Sequence, residues 1–398
     1  MAAASRMEPR EAALQVAKRL SKHGHLAYFA GGCVRDGLLG IEPEDYDVAT
    51  DADPTQVAAI FSHARGVGEA FGVMLVGQGG RTIEVATFRT DGAYIDHRHP
   101  TDVAFGTPNE DAQRRDFTIN GLFEDPQTGK IIDFVDGQED LKRRVLRAIG
   151  DPAARLEEDH LRMLRAVRFA ARFDLSIDDA TAKAISDRAA QLQGISKERI
   201  GNELRRMFSD SSRGRAAQLI ESFGLDEVAL GGHCESDRTR LDALDPTSPW
   251  VDAIAAWMLD RGAEAHVPAL AKRLVLSNHE ARDLVCVLTL RPKDWFDWKV
   301  AQKKRGAAHP LFERSLRLWE TEDRAHAAKI REDLKPLEVE GLAPQRLLSG
   351  SDLIEAGFRE GPHLGTILEA VYDAQLEGRI TSAEDAMAMA HTQWGDAS

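Results

Sequence analysis

The chain has 398 residues, 43% of them hydrophobic, which suits two or more packed domains better than one core. A formal net charge of −14 excludes binding of nucleic acid through overall basicity, so any contact with a phosphate backbone must come from a local patch. No apolar run approaches the length of a membrane span, and the separated cysteines Cys33, Cys234 and Cys286 form no C-x-x-C pair, which argues against structural zinc or a disulfide framework and fits a reducing cytoplasm.

The N-terminal stretch MAAASRMEPREAALQVAKRL lacks the continuous apolar segment of a secretory signal. It predicts an amphipathic helix with Ala13, Leu14, Val16, Ala17 and Leu20 on its inner side. A strand-like run from Leu26 to Ala30 then ends in Gly31-Gly32. Paired glycines let a backbone approach a bulky anion and turn its N–H groups toward phosphate oxygens. Arg35, one turn on, adds a forked donor for the same phosphates. After a helix-length spacer, Asp45 and Asp47 alternate with Tyr46 and Val48, and a strand would place both carboxylates on one face. Neighbouring carboxylates repel unless a cation sits between them, and a hard, oxygen-seeking ion such as Mg²⁺ is the expected one. A glycine pair for a triphosphate and an Asp pair for metal together predict nucleotidyl transfer, with two Mg²⁺ held by Asp45 and Asp47.

Asp53-Pro54-Thr55 starts a short helix that ends near Ser62. The runs 73–77 and 82–88 predict a hairpin joined by Gln78-Gly79-Gly80-Arg81, and a further strand is expected at 131–134. Glu84, in the middle of the second hairpin strand, is a candidate third carboxylate, its alternative being an exposed strand residue paired with Arg81 or Arg89. The loop from Arg89 to Phe105 carries His97 and His99 around Arg98; with no cysteine or third histidine nearby these are ordinary loop histidines. It runs into RRDFTIN, residues 114–120, where adjacent arginines resemble a helix N-terminus that holds phosphates. The first part of the chain is therefore α+β with a small mixed sheet.

After Asp151-Pro152 the strand pattern stops. Amphipathic helices follow to the end, broken near Gly194, Gly224, Pro246, Pro292, Pro310 and Pro336, with a polar, turn-rich stretch at 232–250. Lys142, Arg143, Arg144, Arg147, Arg155, Arg162, Arg165, Arg168 and Arg172 form the local basic segment that the net charge hides. Within EEDHLRMLRAVRFAARF, Asp159 and Arg162 lie three apart and share a face on a helix, followed by Arg165 and Arg168, while Leu161, Leu164, Val167 and Phe169 point to a core. An ion pair on an amphipathic helix is the plain reading. The sharper one is base recognition: a carboxylate accepts from the amino group of cytosine or adenine while a guanidinium donates to ring nitrogen and carbonyl acceptors. O4 of UTP or O6 of GTP would instead face a carboxylate with no proton to give.

The series AGGCVRDGLLG, DYDVAT, IEVATFRTDGAYIDHRHP, RRDFTIN, EEDHLRMLRAVRFAARF and ISKERIGNELRRMF, in order across residues 28–208, closely resembles the bacterial class II tRNA nucleotidyltransferase/poly(A) polymerase family, within the polymerase-β-type superfamily. The segment 347–380 also resembles the C-terminal helical part of such enzymes. The resemblance implies an α+β nucleotidyltransferase head at 1–150, a helical neck that reads the base at 151–212, a helical body at 213–335 and a helical tail that binds tRNA at 336–398. It implies metal ligation by Asp45 and Asp47, triphosphate contacts from Gly31, Gly32, Arg35 and Arg115, base recognition by Asp159 and Arg162, and nucleotide binding by Arg165 and Arg168. Arg199 and Glu203 match a later neck motif with a structural role, and Ser196 is a good N-cap for its helix. Gly121 stands where the family commonly has Ala, and Ala70-Phe71-Gly72 replaces a more usual His-Gly pair. Absence of a His-Asp dipeptide argues against an appended phosphohydrolase domain. The expected activity is CCA addition to the 3′ end of tRNA from CTP and ATP with Mg²⁺. The full-length loop with Arg98 supports it over partial addition, and the acidic stretch at 67–72 supports it over poly(A) synthesis. Poly(A) or A-only addition is the alternative, ahead of a non-catalytic RNA-binding protein or a transferase acting on a small molecule.

Overall fold

A computed structural model describes residues 6–68, 72–92 and 103–395. The loop positions His97, Arg98 and His99, and the Ala70-Phe71 departure, lie outside the described residues. The chain forms two compact units, Met1–Glu235 with Arg273–Val275, and Ser236–Lys272 with Leu276–Ser398. Among the described residues no helix is long and apolar enough to cross a membrane.

The first unit begins with helix α1 (Pro9–Lys22), whose proline sits in the first turn and whose Arg19 and Lys22 sit in the last, as the helix dipole favours. Its buried side is Ala12, Ala13, Val16, Ala17 and Leu20, with Leu14 only half-buried. That face packs on the sheet formed by β1 (Ala27–Ala30), β2 (Val48–Thr50), β4 (Val73–Gln78) and β5 (Arg81–Thr87). With β3 (Arg65–Gly68), β8 (Leu122–Glu124) and β9 (Ile131–Asp133) these strands make a seven-stranded sheet in the order β3-β4-β5-β2-β1-β8-β9. β1 runs antiparallel to β2 and β8, and β2 runs parallel to β5 with Val48 opposite Val85. The β4–β5 hairpin turns at Gly79-Gly80, both at positive φ of 57° and 75°, which only glycine adopts without strain. A separate ribbon pairs β6 (Arg89–Asp91) with β7 (Val103–Phe105).

Helices α2 (Gly32–Leu38) and α3 (Pro54–Ile60) connect the first strands; α3 starts on a capping box in which Asp53 and Gln56 satisfy each other's backbone N–H. Helix α4 (Pro108–Gln113) precedes β8, and after β9 come α5 (Gly137–Arg143), α6 (Pro152–Glu158), α7 (Arg162–Arg172), α8 (Asp179–Arg188), α9 (Lys197–Phe208) and α10 (Arg213–Ser222). Contrary to the expectation that strands end at residue 151, a parallel pair joins β10 (Val145–Leu146) to β11 (Ser176–Ile177). The hydrogen bonds of this pair fasten the turn after α7 to the chain before α6, a non-local contact that periodicity does not reveal. Leu161, Leu164, Val167 and Phe169 are all buried, with α7 packed on α9 and α10.

The second unit is helical. Trp295, Phe312, Leu316, Ile330 and Leu334 share one core, and Leu353, Ile367, Val371, Ala374 and Ala386 share another nearer the C-terminus. Arg314 binds Asp252 at 2.6 Å and Asp283 at 2.6 Å, tying three helices together. Pro336 does not break the pattern as expected; it lies inside the 17-residue helix Arg324–Glu340, whose buried Ile330, Leu334 and Leu337 hold both flanks against the core. All six tryptophans of the chain, residues 250, 257, 295, 298, 319 and 394, fall in this unit.

Candidate active site

A cleft of about 830 Å³ opens in the first unit between the sheet and helix α7. The candidate metal and nucleotide residues line it: the carboxylates of Asp45, Asp47 and Glu84, the Gly31-Gly32 turn, Arg35 and Arg115, Asp159, and Arg162, Arg165 and Arg168 of α7. Asp45 and Asp47 precede β2 rather than lying within it, although Ala30 N–H still donates to the Asp47 carbonyl at 3.1 Å. The parallel register of Val48 with Val85 sets Asp47 beside Glu84 across the strands. The Asp pair therefore lies in the extended segment leading into β2, not in a strand as expected, and the pairing of β2 with β5 adds the third carboxylate.

Asp47 remains open to the cleft, yet it is enclosed enough that burial, then Glu84, push its carboxyl up to about 6, with Arg115 opposing and Asp45 adding to the rise. Carboxylates held in mutual repulsion and accessible to solvent are a fitting donor set for a hard divalent cation. Among the described residues no three His, Cys, Asp or Glu side chains are grouped so as to hold a metal ion, so the fit rests on the Asp45 and Asp47 pair alone. The donor set is an open one, of the kind that leaves coordination positions for substrate phosphate and water.

The arginines are more constrained than the motifs suggest. Arg114 and Arg115 do not begin a helix: Arg114 caps the C-terminus of α4, and a 3₁₀ turn at Thr118–Asn120 follows. Buried Asp111, in the first turn of α4, grips Arg114 at 2.6 Å and Arg115 at 2.9 Å, so the pair of cations is aimed by one carboxylate. Arg115 Nη1 also donates to the Asn120 carbonyl at 3.2 Å and passes over Gly31. A Cβ at Gly31 would lie 2.8 Å from that nitrogen, and φ there is +69°. The glycine therefore makes room for a guanidinium, while its own N–H donates to Leu122 carbonyl at 2.9 Å rather than facing the cleft. Arg35 lines the cleft but is buried, donating to Asp36 at 2.8 Å and to Asn120 Oδ1 at 2.6 Å, with its guanidinium 4.4 Å from the Phe173 ring centroid.

Sequence reasoning passed over Asp116 and Asn120, which connect these groups. Asp116 is buried and accepts from Arg165 Nε at 2.9 Å and Nη2 at 2.7 Å, from Asn120 Nδ2 at 2.9 Å and from Phe117 N–H at 2.8 Å. Burial raises its carboxyl, but Arg165 and the Asn120 amide outweigh that and hold it at about 2. Arg165, Asp116, Asn120 and Arg35 thus form one hydrogen-bonded line along the cleft wall. The signal was the alternation of polar Asp116, Thr118 and Asn120 with apolar Phe117 and Ile119.

Asp159 and Arg162 do not share a helix as expected. α6 ends at Glu158, Asp159 is extended with φ −152° and ψ 104°, and α7 starts at Arg162. The kink orients them separately. Asp159 Oδ2 accepts from Arg199 Nη2 at 2.7 Å and Oδ1 from Leu161 N–H at 3.0 Å. Arg162 Nη1 donates to the Arg155 carbonyl at 2.6 Å and to Glu158, leaving Nε and Nη2 without a partner among the described residues. Arg168 pairs with Glu203 at 2.6 Å. Much of the basic segment is therefore an internal ion-pair network rather than a solvated face: Arg155, Arg162, Arg165 and Arg168 all have acidic partners.

Residues 27–147 match the family described as Poly A polymerase head domain, and residues 174–231 match that described as Probable RNA and SrmB- binding site of polymerase A. A CCA-adding enzyme of Anoxybacillus flavithermus is 35% identical over 382 residues, covering 94% of each chain. Another, of Limosilactobacillus reuteri, is 45% identical over 241 residues, covering 60% of this chain and 59% of its own. The crystal structure of the Bacillus stearothermophilus CCA-adding enzyme in complex with CTP is similar with a TM-score of 0.81 at 29% identity, covering 98% of this chain and 100% of that one. Identity at this level across nearly the whole length of a relative makes the chain a member of the CCA-adding branch of the tRNA nucleotidyltransferase/poly(A) polymerase family.

Proposed function

We propose that this protein adds CCA to the 3′ end of tRNA without a template, using CTP and ATP and releasing pyrophosphate. The observation that carries the reading is the meeting, in one cleft, of an open carboxylate set with the separately oriented Asp159 and Arg162. Binding RNA alone requires neither. Relatives named CCA-adding enzymes, one of them solved with CTP, support the same substrates.

Nucleotidyltransferases of this family generally need divalent metal ions. Asp45 and Asp47 would hold two Mg²⁺, which when bound supply Lewis-acid stabilisation of the triphosphate and of the attacking 3′-oxygen. The chain's own groups do the rest. Arg115, aimed by Asp111, orients the triphosphate, and Arg35 and Asn120 fix the wall behind it. Asp159 accepts from the exocyclic amino group of cytosine or adenine, kept in place by Arg199 and Leu161 N–H. The Nε and Nη2 of Arg162, without a partner among the described residues, donate to the base's ring acceptors. In this reading Glu84, which the register sets beside Asp47, hydrogen-bonds the attacking hydroxyl. Residues 1–150 serve as catalytic head and 151–212 as base-reading neck, while 213–335 and 336–398 serve as body and tail that hold tRNA. A cytoplasmic location accords with the three free cysteines.

The test is direct. Purified protein is given tRNA ending at the discriminator base with Mg²⁺, CTP and ATP, and the products are sequenced. Addition of C, C and A in order, then arrest, is expected; a lone A or a long A tract overturns the reading in favour of A-only or poly(A) addition.

A further inference from the structure

The base-reading arginine and the triphosphate arginines belong to different elements: Arg162 begins α7, whereas Arg114 and Arg115 follow α4. One side chain joins the two groups. Arg155, on α6, has a side chain only 14% exposed, and its guanidinium reaches both. Nη2 donates to the Gln113 carbonyl at 2.7 Å and Nη1 to the Arg114 carbonyl at 3.2 Å. These oxygens lie at the C-terminal end of α4, where carbonyls lack intrahelical partners and a cation is favoured. Nε donates to the Ile149 carbonyl at 3.1 Å, in the connection between β10 and α6. Nη1 also pairs with Glu158 Oε2 at 2.9 Å.

That carboxylate oxygen is shared. Glu158 Oε2 also accepts from Arg162 Nη1, and the same nitrogen donates to the Arg155 carbonyl at 2.6 Å. Two guanidiniums meeting at one oxygen repel each other, so the carboxylate between them decides where each stands. One of the two, Arg155, is itself fixed by three carbonyls. Arg162 is thus held from behind at Nη1, which leaves its other donors turned outward. Arg115, by contrast, is aimed by Asp111 without help from the Arg155 side chain.

We infer that Arg155 is a positioning residue for base selection: anchored on the α4 carbonyls, it fixes Glu158 and, through it, the direction of Arg162. This deepens the proposed function and rests on it. The consequence concerns the ring nitrogen of the incoming base. N3 of cytosine and N1 of adenine accept a hydrogen bond, whereas N3 of uracil and N1 of guanine carry a proton and would oppose a guanidinium donor to donor. Rejection of that kind needs a guanidinium that cannot turn away, because a side chain free to swing escapes the clash.

The experiment uses the full chain with Arg155→Met, which keeps the length of the side chain and removes its donors. Single-turnover incorporation of CTP and of UTP on tRNA ending at the discriminator base gives the selectivity. Inhibition of CTP incorporation by inorganic tripolyphosphate reads the triphosphate arginines with no base present. The expected result is a preference for CTP over UTP reduced about tenfold, as for one misdirected base contact, with tripolyphosphate inhibition at the wild-type value. In an Arg162→Ala background Arg155→Met should change the preference no further, since it acts through Arg162. Glu158→Gln keeps the shape and removes the charge that gathers both guanidiniums; it should give the same loss of preference, and it carries the test if Arg155→Met does not fold. Wild-type preference in both variants overturns the inference. Weakened tripolyphosphate inhibition with the preference intact overturns it too, since Arg155 then supports α4 alone, as does a loss that adds to that of Arg162→Ala. If wild-type protein adds nothing to tRNA, the functional reading falls and this inference with it; if wild-type adds CCA and the variants select as it does, only the inference falls.

Discussion

Replacing Asp116 by Asn removes one charge from the line Arg165–Asp116–Asn120–Arg35 while keeping its shape. Asp116 is 8% exposed and receives both Arg165 donors, so its loss leaves a largely buried guanidinium facing a neutral amide. Breaking a buried pair in this way costs about 3–5 kcal/mol at neutral pH. Part of that cost carries a pH signature. Depression of the carboxyl from 3.8 to about 2 is worth about 2.5 kcal/mol on the linkage relation. The sign follows from the folded pKa lying below the unfolded one. The contribution is complete above the unfolded value and is lost as pH falls through the folded value. The gap in unfolding free energy between wild type and Asp116→Asn should therefore be constant from pH 7 to pH 5 and narrow by about 2 kcal/mol on the way to pH 2.5. Denaturant-dependent hydrogen exchange of the α7 amides is the suitable assay because it reads this unit alone. A gap equally wide at pH 7 and pH 2.5 would refute the account: the carboxylate would not be ionised against Arg165.

Asp47→Asn should abolish nucleotide transfer and leave tRNA binding nearly intact. In metal-free protein the same change should raise the melting temperature, increasingly as pH climbs from 4 through 6, because a carboxyl raised to about 6 is unfavourable only when ionised; a lowered Tm at pH 8 would count against that repulsion. Asp159→Ala should relax selectivity before it removes activity, with UTP and GTP misincorporation rising about ten- to a hundredfold relative to CTP and ATP in single-turnover assays. Arg199→Ala should shift selectivity the same way but less, since it only holds Asp159; unchanged base preference in both variants would mean the base is read elsewhere. Gly31→Ala combines a positive φ with a contact 2.8 Å from Arg115 Nη1, so it should cost on the order of 1–3 kcal/mol and raise the KM for nucleotide; wild-type behaviour in thermal melts and kinetics would show that the turn tolerates a side chain.

Local patterns made much of the first unit legible. Alternation exposed the β4–β5 hairpin, apolar spacing exposed α1, and the glycine and aspartate motifs named residues that the fold brings into one cleft. What the sequence hid was partnership. Charges four residues apart look like helix-surface pairs, whereas the structure pairs Arg165 with Asp116, 49 positions away, and Arg199 with Asp159, 40 away. Nothing in EEDHLRM announces that the backbone leaves the helix at Asp159, since no glycine or proline marks the kink. Gly121 shows the same limit: it stands where the family commonly has Ala, and a Cβ there would lie 2.6 Å from Val135 Cγ2. The short contact is made by a residue from another strand connection, and composition holds no trace of it.

The confinement of all six tryptophans to the second unit gives the protein a built-in optical division. Indole emission on heating or in denaturant tracks the helical unit and is silent about the cleft. A mismatch between its transition and that of far-ultraviolet ellipticity, to which both units contribute, would signal separate melting rather than a faulty two-state fit. Conversely, a single indole introduced into the first unit in a tryptophan-free background would be a spectroscopic label with no native competitor. Phe117, buried edge-on against Phe169 at 6.0 Å between centroids, is one position where such a probe would sense the packing of α7.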